Sequence, residues 1–198
     1  MKKYFLIIMV FVLMCGCKQL SPEQIAEKQG LEMKVKVEKN VDEHIKKVLD
    51  GLLEHPDSYQ PISTDLSLVM NNMVEYDSEA FVALRDLDHS IENFHKQQGN
   101  NTKSPQAQKE IENLKARVTG LSDTLQTIQK RPIAFEAIDA YHQFYAKDKL
   151  NRKLKRGYHF IIHKDNRITL LCDQEQMDRV KAFAKKLLAE GVNVVENE

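Results

Sequence analysis

The apolar residues Ile111, Leu114, Val118, Leu121, Leu125 and Ile128 step by 3, 4, 3, 4 and 3. An α-helix lines such positions up in one seam, because its turn returns third and fourth neighbours to the same face. The seam lasts under three heptads, too short for an extended dimeric coiled coil, so packing within the chain and a monomer are expected. Ser104 and Pro105 supply a cap and a first helical residue ahead of it. An earlier stripe, Phe81, Leu84, Leu87, Ile91 and Phe94, follows a cap at Asp77 or Ser78 and stops at Gly99, Asn100 and Asn101. Two helices joined by so short a polar loop fold back on each other, so 78–130 reads as an antiparallel helical hairpin.

Upstream, Val41, Ile45, Val48, Leu49 and Leu52 predict a helix that ends at His55 and Pro56, since the residue before proline disfavours helix. The segment 55–63 holds two prolines and reads as a turn followed by extended chain, while 66–74 is apolar without a clear period. Residues 18–30 are polar, with Ser21 and Pro22 placed as cap and first helical residue and Gly30 as an interruption, and read as a tether or a frayed helix. After Pro132 the period changes to two. Ile138, Ala140, His142 and Phe144 alternate with Asp139, Tyr141, Gln143 and Tyr145, the pattern of a strand. Tyr158 to His163 and Ile168 to Cys172 read as a hairpin about the turn Lys164, Asp165 and Asn166. Asp173 with Gln176 then opens a helix through Met177, Val180, Phe183, Ala184, Leu187 and Leu188, ended by Gly191, and Val192, Val194 and Val195 read as a short last strand. The expected fold is α+β: an N-terminal helix and the helical hairpin packed with a C-terminal antiparallel sheet and a terminal helix, one domain over 38–198.

The N-terminus is of another kind. Met1, Lys2 and Lys3 precede an unbroken apolar run from Tyr4 to Met14, followed at once by Cys15, Gly16 and Cys17. A membrane-spanning helix needs about 20 apolar residues, so this run is a secretory signal and not an anchor. Met14, Cys15, Gly16 and Cys17 resemble the lipobox of bacterial lipoproteins. Gly16 supplies the small residue before the cut, which makes Cys17 the acceptor of diacylglycerol and fatty acyl chains such as palmitate, 1–16 the signal peptide, and 17–37 an acylated N-terminus and tether. Each buried methylene contributes about 0.8 kcal/mol, so several chains hold the protein to a membrane durably.

Charge sets a second limit. The 29 basic and 29 acidic side chains cancel, leaving no global field to draw in nucleic acid, and no nucleic-acid partner is expected. One local cluster stands out: Lys147, Lys149, Arg152, Lys153, Lys155 and Arg156 against the single acid Asp148, flanked by Tyr145 and Tyr158. It is either the solvated tip of a hairpin or a grip for an anionic surface. His159 and His163 are about 13 Å apart on an extended strand, too far to share a metal ion, and His89 and His95 miss the helical spacing of a zinc pair. Gly120, Leu121 and Ser122 fall inside the heptad helix, Cys172 closes an apolar run as a buried thiol, and Asp86, Asp88 and Glu92 read as a solvent-facing helix edge. No catalytic residue, metal or cofactor is expected.

The segments HPDSYQPIS at 55–63 and YHQFYAKDKLNRKLKRGYHFIIHKDNRITLL at 141–171 resemble small lipoproteins common in Bacteroidetes. The resemblance implies exposure in the cell envelope and an α+β fold, and it carries no substrate or catalytic residues. In such bacteria acids just after the acylated cysteine accompany export to the outer surface, and Lys18, Gln19, Leu20 and Ser21 offer none, so the outer membrane's periplasmic face is expected. The expected function is that of a lipid-anchored, non-enzymatic envelope protein. Its partners would be the membrane, through acyl chains, and an envelope protein or glycan. A periplasmic small-ligand binding domain is the alternative, and a hydrolase a further one.

Overall fold

The computed structural model describes residues 20–98 and 104–195, so the expected export signal, Cys17 and the expected helix stop at Gly99, Asn100 and Asn101 lie outside the described residues. Among the described residues no helix is long and apolar enough to cross a membrane. The elements are α1 (Pro22–Glu38), α2 (Val41–Asp50), β1 (His55–Met70), a 3-10 turn (Val74–Tyr76), α3 (Ser78–Gln98), α4 (Pro105–Gln129), β2 (Phe135–Lys147), β3 (Lys153–His163), β4 (Ile168–Asp173), α5 (Gln174–Glu190) and a final 3-10 turn (Gly191–Val195). The four strands form one antiparallel sheet in the order β1-β2-β3-β4, and the class is the expected α+β.

The sheet lies between two helical layers. One face carries Ile138, Phe144, Phe160 and Ile162, all buried, and meets Ala26, Val41, Ile45 and Leu49 of α1 and α2. The other helical layer has its own core, in which α3, α4 and α5 pack Leu84, Ile91, Leu114, Leu125, Met177 and Leu187 together. Every seam position from Leu114 to Ile128 is buried there, so the heptad closes within the chain. Arg179 of α5 adds contacts to Asp88 (2.7 Å) and Glu92 (3.0 Å) of α3, exposed pairs of small energetic weight.

Three local readings change. The segment read as a tether or frayed helix is a full helix, α1, opened by a capping box in which Ser21 and Gln24 exchange side-chain and backbone bonds. Gly30 does not interrupt it. A Cβ at this position would lie 2.8 Å from Leu68 Cδ1 and 3.0 Å from Phe135 Cδ2, so glycine lets the helix backbone approach the sheet. The proline-bracketed segment is the first part of β1, whose 16 residues run to Met70. Pro56 and Pro61 are tolerated because β1 is an edge strand, and its pairing with β2 shifts register between His55 and Gln60 and again between Pro61 and Ser63. The expected last strand is a 3-10 turn: Gly191, at φ +56°, ends α5 and turns Val194 and Val195 into the helical core.

Replacing Gly30 with valine forces a branched side chain into this contact. The folded state should lose about 1–3 kcal/mol, the usual effect of overpacking, read as a lower midpoint in urea unfolding. An unchanged midpoint would show that α1 does not need to sit this close.

Candidate functional site

The β2–β3 hairpin carries the basic segment, and its register decides what that segment can do. Directly opposed residues share a face of the sheet. Tyr145 lies opposite Lys155 and Lys147 opposite Lys153, whereas Arg156 lies opposite Phe144. The six basic residues therefore do not act together. Lys147, Lys153 and Lys155 stand on one face with Tyr145 and Tyr141. Arg156 belongs to the other face, beside Tyr158 (Nη1 to Oη 3.5 Å), and Tyr158 itself packs on Phe144 with ring centroids 5.6 Å apart. Arg152 is held by Asp148 at 2.6 Å, and Lys149 points to Glu54 at 3.4 Å. Asp148 organises the turn: its carboxylate accepts from the backbone N–H of Leu150 and Arg152 and from Arg152 Nε, while Asn151 takes the left-handed conformation, φ +60°. The Arg152 contacts hold its carboxyl below the usual carboxylate range.

On that same face the second helical layer covers only one end. Val69, Ala137 and Ile161 are buried there with Tyr76 and Leu171 against them, and Asp139 and His159 are buried nearby. Toward the hairpin tip Ser63, Asp65, Tyr145, Lys147, Lys153 and Lys155 are exposed and Tyr141 and Gln143 half-buried. Tyr141 lies across the neighbouring strand. A Cβ at Gly157 would come within 2.5 Å of its hydroxyl oxygen, its ring stacks on His159 at 4.9 Å, and Gln143 Nε2 donates to its hydroxyl at 2.8 Å. Lys153 Nζ sits 4.5 Å from the centre of the Tyr145 ring and donates to Gln60 Oε1 at 2.7 Å.

The sheet carries two buried polar networks, one on each face. In the first, Asp139 accepts from Tyr76 Oη (2.8 Å) and from His159 Nδ1 (3.0 Å). His159 Nε2 meets Gln174 Oε1 at 3.1 Å, with Gln174 Nε2 donating to Asp178 at 2.8 Å. Burial and the Asp139 carboxylate push the Tyr76 hydroxyl well above its ordinary range. An Asp–His pair orients a base in many hydrolases, but here the atom facing the outer ring nitrogen is an amide oxygen, which has no proton to give. Cys172 lies directly opposite His159 in the register, yet burial pushes its thiol up to about 12, which keeps it neutral. It is buried, as its place in an apolar run predicts.

In the second network His142, fully buried, receives Tyr59 Oη at Nε2 (2.8 Å) and bonds Thr64 Oγ1 through Nδ1 (2.7 Å). Thr64 in turn donates to Asp42, so its oxygen accepts from Nδ1–H, and a neutral ring with Nε2 accepting from Tyr59 satisfies both bonds. Burial lowers the His142 pKa, with Asp42 opposing, and raises the Tyr59 hydroxyl to about 12.

Two other features bear on the alternatives. A cleft of about 330 Å³ between sheet and helices is lined by Met70, Tyr76, Arg131, Ile161 and His163, but Arg131 Nη1 is already bound to Asp77 (2.8 Å) and the Asn71 carbonyl (3.2 Å). His163 bonds Thr169 at 3.0 Å, and among the described residues no cluster of histidine, cysteine and carboxylates is set to hold a metal ion. Comparison with protein families, curated proteins and solved structures yields no significant match.

Tyr141, Gln143, Gly157 and Asp139 were not legible as site residues, because strand alternation only set Asp139, Tyr141 and Gln143 on the face away from Ile138, and Gly157 lay before the predicted strand at Tyr158. The one signal was the pair of tyrosines at 141 and 145, four apart and so on one face.

The sign of the His142 effect follows from its lowered folded-state pKa. The folded state resists protonation more than the unfolded chain, so this contribution to stability is complete above the ordinary histidine pKa of about 6.5 and is lost as pH falls below it. Urea unfolding between pH 7.5 and about 5 should show falling stability, and His142→Gln should flatten that slope. An unchanged slope in the variant would assign the acid sensitivity elsewhere.

Proposed function

We propose that this chain is a lipid-anchored protein of the cell envelope, acylated at Cys17 and held at the periplasmic face of the outer membrane, with a non-enzymatic role in contact with another macromolecule. The observation that carries the contact is the half-covered sheet. A face bearing Tyr141, Tyr145 and three lysines is left open by helices that cover its other half; tyrosine is a residue that interfaces favour, and the lysines give the face a charge that an anionic partner would complement. The buried Asp139–His159 pair is closed by Gln174, an arrangement that supports a structural task for it. The anchor reading rests on the signal ending in Met14, Cys15, Gly16 and Cys17. With α1 beginning at Pro22 and seating Ala26 and Gly30 in the fold, the anchored domain would stand close to the membrane surface.

Cys17→Ser tests the anchor. The variant should leave the membrane fraction, or accumulate as uncleaved precursor, when cells are fractionated and blotted. A variant that stays processed and membrane-bound would overturn the attachment.

A further inference from the structure

We propose that the open half of the sheet is a binding site for an acidic polysaccharide, with Tyr141 and Tyr145 as stacking platforms and Lys147, Lys153 and Lys155 as the cationic rim. The inference rests on the reading of the chain as a macromolecule-binding protein but not on its lipid anchor.

Four observations converge on this face. First, the platform is built. Gly157 is the residue that lets the Tyr141 ring lie down, since any Cβ there would strike its hydroxyl oxygen and Cε2 and Cζ, at 2.5 to 2.9 Å, and the ring is backed by His159. An aromatic ring held in place in this way can stack on the apolar C–H surface of a sugar. Second, the two tyrosines are four residues apart on one strand, about 13 Å at 3.3 Å per residue. A single sugar cannot touch both, so the ligand is a chain. Third, groups that bond hydroxyls surround Tyr141: Ser63 pairs with Gln143 and Asp65 with Tyr141 in the β1–β2 register, and both are exposed. Fourth, among the described residues no carboxylate forms an ion pair with Lys147, Lys153 or Lys155, whereas Lys149 and Arg152 have such partners. Three such ammonium groups beside a ring call for an anionic ligand. The exposed carboxylate of Asp65 opposite Tyr141 accepts from sugar hydroxyls and repels an anionic group placed beside it, so the hydroxyls of the chain belong beside Tyr141 and its carboxylates toward the lysines at the hairpin tip, whereas a phosphate strand or a bilayer surface brings no such hydroxyls to Asp65.

The register makes the proposal different from a basic-segment reading. Arg156 is inside the basic run but on the opposite face, paired with Phe144. It should be dispensable for binding, and Tyr141, which lies outside the run, should be needed for full affinity.

The test uses the full chain purified in detergent and affinity electrophoresis through gels containing polygalacturonate, with its methyl-esterified form as the uncharged counterpart. Retardation by polygalacturonate, weakened about five- to tenfold in Tyr145→Ala and in Tyr141→Ala, is expected. Arg156→Gln should bind as the parent does, and Tyr141→Phe, which keeps the ring, should restore most of what Tyr141→Ala loses. Lys153→Gln with Lys155→Gln should remove most of the salt dependence below about 0.5 M. Tyr145→Ala alters an exposed side chain, so it decides the question even if Tyr141→Ala fails to fold. Equal retardation by the esterified polymer, or loss of binding in Arg156→Gln with none in Tyr145→Ala, would overturn the site. Tighter binding to phosphatidylglycerol vesicles or to oligo(dT), lost in the same tyrosine and lysine variants, would overturn the polysaccharide while leaving a macromolecular contact at this face. Absence of binding to all of these probes would overturn the inference, and the Cys17→Ser fractionation would still judge the anchor separately.

Discussion

The pairing of β2 with β3, from Ala137 opposite His163 to Lys147 opposite Lys153, governs the rest of the molecule. Because side chains alternate, this one register sends Ile138, Ala140, His142, Phe144, Phe160 and Ile162 to the α1–α2 side and Asp139, Tyr141, Tyr145, His159 and Lys155 to the other. A slip of one residue would exchange the two sets, exposing the phenylalanines and burying lysine. Two turns built alike hold it. Asp148 with Arg152 and Asn151 closes β2 to β3, and Asp165 with Arg167 and Asn166 closes β3 to β4, each with asparagine at positive φ.

Polar groups inside the sheet then follow from the helices laid on it. Once the second layer reaches Ala137 and Ile161, Asp139 is cut off from water and needs donors, which Tyr76 and His159 supply. His142, on the opposite face, is enclosed with Tyr59 and Thr64 as its partners. The two histidines share a sheet but not a role: one is braced between acceptors, the other is kept neutral by burial and by a donor at Nε2. Such networks specify one arrangement, because a shifted strand leaves buried groups without partners.

The same constraints decide where a partner can be met. The free edge of β1 would invite strand addition, but Pro56, Pro61 and the register shifts break it, and Lys34 Nζ donates to the Leu66 carbonyl at 2.8 Å. The apolar seam of α4 is consumed by α3 and α5. Among the described residues, the uncovered part of the sheet face keeps Tyr145 and three lysines exposed together, and its position near the hairpin tip sets it apart from the helical layer.

Periodicity in the chain is a local property, and what depends on it was legible: the heptad of α4, the stripe of α3, the β3–β4 hairpin with its turn, the capped α5, the buried Cys172 and the α+β class. The helical character of α1, with Gly30 in its middle, was not, because glycine there answers to Leu68 and Phe135, which lie far along the chain. Nor was the division of the basic run, since Lys155 and Arg156 are neighbours in sequence and separate only when the strand alternates against a partner. Whether Asp139 is wet or dry, whether Tyr141 stands or lies flat, and which lysines share a face are set by contacts between distant segments. The sequence by itself determined the regularly spaced elements, α3, α4, α5 and the strands β2, β3 and β4, because that spacing is local to the backbone; the tertiary structure decided the character of α1 and of the last turn, and which side of each element meets water, because those depend on what is laid across them.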